Sequence, residues 1–95
     1  MSGNPYFQLL NREMARHHFY PPLARPLGLK GEPYFDIWLD RGGRLLDLKL
    51  VHSSGSQLFD EAGEREIRET APFPAPPSDL YLYITVGVPF VPSDP

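Results

Sequence analysis

The sequence contains no cysteine, so neither a disulfide framework nor a thiolate metal site can be built from it. Positive charge is scarce: the formal net charge is −3, which argues against a grip on nucleic acid through general basicity. No apolar run approaches the ~20 residues needed to span a bilayer. No basic head followed by an apolar stretch marks a signal peptide. A glycine-rich phosphate loop, a Gly-x-Ser-x-Gly elbow and a metal-ligand signature are also missing. His17 and His18 are adjacent, and neighbours on a helix point about 100° apart, which makes a poor chelate. No spacing brings His52 to them. His18 lies on the apolar stripe of the first helix and is expected to be packed, with one ring nitrogen satisfied. Asp40 beside the glycines is turn chemistry, and Asp36 and Asp47 read as solvated residues of a strand face. The sequence assembles no catalytic set, so neither an enzyme nor a cofactor is expected.

What is present points to one domain over residues 1–95. A chain this short buries only about 60% of its unfolded surface, so its core is thin. Hydrophobic residues make up 41% of it, enough for a folded chain. The 12 prolines cluster at 20–26, 72–77 and the C-terminus, where they punctuate the elements. Between the first two clusters, Phe35-Asp36-Ile37-Trp38-Leu39-Asp40 and Leu45-Leu46-Asp47-Leu48-Lys49-Leu50-Val51 flank Gly42-Gly43, a strong signal for a β-hairpin over 33–51. Phe35, Ile37 and Leu39 fall on one face of the first arm, because strand side chains alternate. An isolated hairpin is marginal in water, so the rest of the chain must cover that face.

A first helix is expected over 4–20. Asn4-Pro5 has the chemistry of a cap and first turn, Phe7, Leu10, Met14 and His18 form a stripe, and Pro21-Pro22 stop it. A second helix is expected over 56–71, with Ser54 and Gln57 at capping-box spacing and Pro72 ending it. Its Glu61 to Glu69 run reads as a solvated face with Glu61–Arg65 and Glu64–Arg68 pairs. Strict alternation from Leu80 to Phe90 predicts one long last strand over 80–90. The return through the second helix makes that strand antiparallel to the first, giving the order second-first-third. The predicted fold is therefore α+β, a two-layer sandwich of a three-stranded antiparallel sheet with two helices on one face. The outer edge of the last strand is left unpaired, a template for another strand.

Four motifs occur together in order: Tyr20-Pro21-Pro22-Leu23-Ala24-Arg25 with Gly28 and Gly31; Phe35 to Asp40 leading to Gly43; Ser53-Ser54-Gly55 followed by Phe59-Asp60; and Pro72-Phe73-Pro74-Ala75-Pro76-Pro77 followed by Val88-Pro89-Phe90. In this order and spacing the chain resembles the C-terminal domain of the TonB energy-transducing proteins. The resemblance implies a periplasmic domain of a Gram-negative inner-membrane protein. An N-terminal anchor and a Pro-rich linker precede it in the family, so the expectation is a domain excised from a longer chain. It implies work with an ExbB/ExbD-like inner-membrane complex that harvests the proton-motive force. It also implies capture of the TonB box of an outer-membrane transporter by strand addition. The residues it points to are Leu80, Tyr81, Leu82, Tyr83, Ile84, Thr85, Val86, Gly87 and Val88 in the last strand, and His17, His18, Tyr20 and Pro21 in the Tyr-Pro stretch. An open edge also invites homodimers in truncated chains. Gly63, Glu64 and Glu66 stand where the family usually has small or apolar helix residues, and Pro33 replaces a usual β-branched one, so the resemblance says less about how the second helix packs.

Trp38 lies on the face away from the helices, with Tyr34 beside it and Tyr81 or Tyr83 across. An exposed aromatic patch marks a contact site; burial under a terminal tail or self-association would account for it equally. The alternative function is accordingly an envelope interaction domain that binds another periplasmic protein or cell-wall glycan through this aromatic surface.

Overall fold

The computed structural model describes residues 4–93. The extreme ends of the predicted 1–95 domain, residues 1–3 and 94–95, lie outside the described residues. The elements are α1 (Pro5–Ala15), β1 (Tyr34–Leu39), β2 (Leu45–His52), α2 (Gln57–Thr70) and β3 (Tyr83–Gly87), with short 3₁₀ turns at Pro22–Ala24 and Asp79–Tyr81. The sheet is antiparallel in the order β2-β1-β3. This is the α+β arrangement that the alternation and connection lengths predicted.

Local chemistry accounts for each element. The Asn4 side chain accepts from the backbone N–H of Tyr6 and Phe7 at 2.9 and 3.2 Å, capping α1. The helix ends at Ala15, short of the predicted residue 20. The next residues turn, with His17 N donating to Met14 O and His18 N to Ala15 O. This aims the Tyr20-Pro21 segment back at the core, where Tyr20 is 1% exposed. In the hairpin, Asp40 Oδ1 accepts from the backbone N–H of Gly42 and Arg44 at 2.9 and 2.8 Å. Gly43 adopts φ +91°, and a Cβ there would meet Phe73 O at 2.0 Å. The hairpin signal thus also marks where the proline-rich segment docks: Phe73 N donates to Gly43 O at 2.8 Å.

The start of α2 differs in detail from a capping box. Ser56 is the N-cap and its side chain makes no cap bond. Asp60 instead gathers the turn, accepting from Ser53 Oγ, Ser54 N and Ser54 Oγ. Burial opposes the charge on Asp60, but these hydrogen bonds outweigh it and hold the carboxyl below its usual range.

The core sits between the sheet and the helices. Phe35, Ile37, Leu39, Ile84 and Val86 meet Tyr6, Leu10, Met14, Phe59 and Ile67, all buried. Gly63 is explained by contact: a Cβ there would lie 2.8 Å from Phe35 Cε1 and 3.2 Å from Pro33 Cγ. The glycine lets α2 settle onto the ring of Phe35 and onto Pro33. Glu66 corrects one expectation: it is 5% exposed, not solvated, and its Oε1 lies 2.6 Å from His18 Nδ1. The exposed face of α2 carries the pairs Glu64–Arg68 at 3.0 Å and Arg65–Glu69 at 2.9 Å.

Candidate functional site at the sheet edge

The last strand is shorter than its alternation suggests. Ser78 accepts at Oγ from Leu80 N, and Tyr81 N and Leu82 N close a 3₁₀ turn onto Ser78 O and Asp79 O. Leu80 is left 82% exposed. Tyr81 leaves the sheet for α1, with its ring 5.2 Å from that of Tyr6 and its hydroxyl accepting from Asn4 Nδ2 at 2.8 Å. Leu80 and Tyr81 are therefore not strand residues, because Ser78 and the α1 aromatics compete for them. Leu82 only delivers its carbonyl, to Leu39 N at 2.8 Å. At the far end Val88 N donates to Pro33 O, and Gly31 and Phe90 exchange both bonds. The ladder continues past Gly87 even though prolines interrupt the regular strand.

The register decides which groups face outward. Ile37 opposes Ile84 and Phe35 opposes Val86, in step with the bonded pairs at Leu39–Leu82 and Gly31–Phe90. In an antiparallel ladder, bonded and non-bonded pairs alternate. Ile84, Val86 and Val88 therefore turn their N–H and C=O groups toward β1 and their side chains into the core. Tyr83, Thr85 and Gly87 turn theirs to the free side, and the row ends at Pro89, which has no donor. No neighbour strand covers this side among the described residues.

Three side chains brace this edge. Asp36, expected to be merely solvated, accepts from Thr85 Oγ1 at 2.6 Å and Tyr83 Oη at 2.7 Å. The Thr85 bond, then the Tyr83 bond, hold the Asp36 carboxyl below its ordinary range, and the same contact raises the Tyr83 hydroxyl. Trp38 stacks on Tyr83 with ring centres 4.9 Å apart, so it is half-buried by its cross-strand neighbour. A Cβ at Gly87 would meet Glu32 Oε2 at 2.5 Å and Tyr34 Cε2 at 2.7 Å, so those side chains would have to shift to admit one. Tyr83 and Trp38 were legible as facing aromatics. The Asp36 brace was not, because pairing register is a tertiary property.

The Tyr-Pro stretch divides by burial. Tyr20 and Pro21 are buried; the Tyr20 hydroxyl donates to Leu29 O and its ring lies 5.6 Å from that of Phe59. They can position a contact but cannot offer side chains to one. His17 is exposed, and Phe19 is 53% exposed with the Arg65 guanidinium 5.8 Å from its ring centre. His18 stacks on Phe90 at 4.9 Å. A cleft of about 470 Å³ is lined by His18, Glu66, Gly87 and Pro89, with Met14 and Glu32. The fold thus brings His18 beside the end of the open edge. His52 is elsewhere, against Tyr34 at the start of β1.

The model of the family described as TonB C terminal matches residues 3–90. The chain belongs to the TonB C-terminal family. The Protein TonB of Pseudomonas putida is 33% identical over 82 residues, which cover 84% of this chain and 34% of that protein. The Protein TonB of Vibrio cholerae is 34% identical over 50 residues, covering 53% of this chain and 20% of that one. The chain thus spans about a third or less of the length of these TonB relatives. Among solved structures, the solution structure of a Helicobacter pylori TonB-CTD superposes with TM-score 0.80 at 19% identity, over 98% of this chain and 100% of that one. The likeness to it is one of fold. The HasB CTD superposes with TM-score 0.58 at 26% identity, over 97% of this chain and 72% of that one. Membership in the TonB family is consistent with a TonB-like energy transducer.

Proposed function

We propose that this chain is the periplasmic domain of a TonB-like energy transducer, anchored in the inner membrane of a Gram-negative cell by a part of the protein outside this sequence. It captures the TonB box of an outer-membrane transporter as an added strand along Tyr83–Gly87. Working with an ExbB/ExbD-like complex, it passes the proton-motive force to the transporter as a pull. The job is binding and force transmission, not catalysis. The observation that carries the reading is the row of outward N–H and C=O groups at Tyr83, Thr85 and Gly87, with Tyr83 and Thr85 tied to Asp36 of β1. Main-chain bonds of this kind give affinity with modest demand on sequence, while side-chain contacts at the ends give selectivity. His17 and His18 would meet the partner where it leaves the edge beside Gly87.

Titration with an extended TonB-box peptide tests this by amide chemical shifts. Tyr83, Thr85 and Gly87 should move most. Thr85→Pro deletes an outward donor and leaves the inward ladder bonds in place, as proline at a free edge allows. It should weaken the peptide by about tenfold or more, since each lost hydrogen bond and blocked approach is worth roughly 1 kcal/mol or more. Its melting temperature should match that of Thr85→Val, which loses the same Oγ1 bond to Asp36 but keeps the outward N–H and the peptide. Shifts confined to other regions would sink the edge assignment. Shifts centred on Trp38 and Tyr34 that survive Thr85→Pro would favour the aromatic-surface reading, for which the Trp38–Tyr83 stack is the supporting feature.

A further inference from the structure

Among the described residues the opposite edge of the sheet also has no neighbouring strand, and its sequence is self-complementary. β2 lies at the outside of the order β2-β1-β3, and Leu46, Leu50 and Val51 are 61%, 41% and 44% exposed. An exposed apolar edge of this kind is a template for association unless something guards or covers it. Read antiparallel against itself about Leu48, the segment places Leu48 on Leu48, Leu46 on Leu50, and Asp47 on Lys49 in both directions. One register therefore matches both charge pairs and Leu46, Leu48 and Leu50 at once, with Leu45 opposite Val51.

The backbone is in phase with that register. Asp36 opposes Lys49 and Trp38 opposes Asp47. The odd-numbered residues of β1 bond to β3, so its even-numbered residues bond to β2. Asp47 and Lys49 are thus the inward pairs, and Leu48 and Leu50 present N–H and C=O to the open side. The hydrogen bond from Leu48 N to the Asp47 side chain, 2.8 Å, is independent evidence that this N–H is outside the ladder. Pairing about Leu48 makes it a bonded pair and makes Asp47–Lys49 the closer, non-bonded pair, where opposite charges gain most. Leu48 and Leu50, which oppose Ile37 and Phe35, then lie on the helix side of the joined sheet and the charges on the other side; Leu46 sits at the irregularity where Leu45 takes the place opposite Leu39.

We propose that two copies of this chain join β2 to β2 in that register, making a two-fold, six-stranded sheet. On forming it, Asp47 releases the Leu48 N–H of its own chain and turns to Lys49 of the other copy. The carboxylate is thus a guard in the monomer and a partner in the dimer. Both β3 edges stay free at the two ends, so the proposal stands apart from the reading of β3. A contact of one strand per copy falls below the standard interface size. The association is therefore weak, with a Kd of roughly 10 μM to 1 mM.

Sedimentation of the chain over a concentration series, with amide shifts followed in parallel, tests it. Mass should rise toward the dimer, with concentration-dependent shifts centred on Leu48 and Leu50. Asp47→Lys sets like charges opposite each other twice and should weaken the dimer about tenfold, and Lys49→Asp should do the same. The double exchange Asp47→Lys/Lys49→Asp should restore it. Circular dichroism and melting temperature check that each variant folds. Lys49→Asp faces Asp36 within its own chain, alone and in the double exchange, so Asp47→Lys, which leaves the Asp36–Lys49 pair intact, decides the charge test, and the wild-type shift map stands without any variant. A chain that stays monomeric throughout, an association whose shifts fall on Tyr83–Gly87, or an Asp47→Lys chain that dimerises as well as the wild type would overturn the proposal.

Discussion

Single residues decide this fold where atoms come closest. At Gly43 two demands coincide: φ is +91°, and a Cβ would lie 2.0 Å from Phe73 O. Gly43→Ala should therefore cost about 3 kcal/mol or more, through backbone strain plus displacement of the docked segment, read as a fall in the denaturation midpoint. Gly63 is a finer balance. Alanine in mid-helix gains about 1 kcal/mol of propensity, but its Cβ would lie 2.8 Å from the Phe35 ring, and overpacking costs about 1–3 kcal/mol. Gly63→Ala should come out destabilising by about 1 kcal/mol, against the trend for exposed helices. The acid response belongs at this scale too. Asp36, Asp40 and Asp60 all have lowered pKa values. A carboxyl lowered by folding stabilises above its unfolded value, about 4, and that stability is lost as the pH falls through the lowered folded value. Melting temperature should thus hold down to about pH 4 and drop below it. Asp60→Asn should flatten part of that drop and lower the melting temperature at neutral pH.

At the scale of elements, periodicity and punctuation made the sheet legible. Phe35-x-Ile37-x-Leu39 and the glycine pair specify a hairpin in any setting, because pleat and turn are local properties. The same alternation misjudged the start of β3, since Leu80 and Tyr81 satisfy a period-two pattern while belonging to a 3₁₀ turn. Ser78 supplies the local competitor and the α1 aromatics supply the distant one. The Thr85→Pro outcome belongs to this scale: it asks whether the outward half of a strand can be blocked without unfolding the inward half. The candidate site was legible as an unpaired edge. Which of its residues face outward was not, because that depends on the register against β1.

Across the whole molecule, the Tyr-Pro stretch works as a clasp between layers. Tyr20 bonds Leu29 O and packs on Phe59, while His18 bridges Glu66 of α2 and Phe90 beyond β3. Tyr20→Phe should cost about 1–2 kcal/mol, because it leaves the Leu29 carbonyl short of a buried donor. Denaturant titration measures this, and amide exchange should quicken over 16–30 before it does in the sheet.

The residues in their linear order determined the α+β class, the strand order, the four punctuating motifs and the free edge, because alternation, helical spacing and chain reversals are written locally. Only the tertiary structure decided that Glu66 is buried against His18, that Gly63 seats Phe35, and that Asp36 braces Thr85 and Tyr83. Each of those depends on residues 28 to 49 positions apart meeting in space, and no local pattern records which distant partner will arrive.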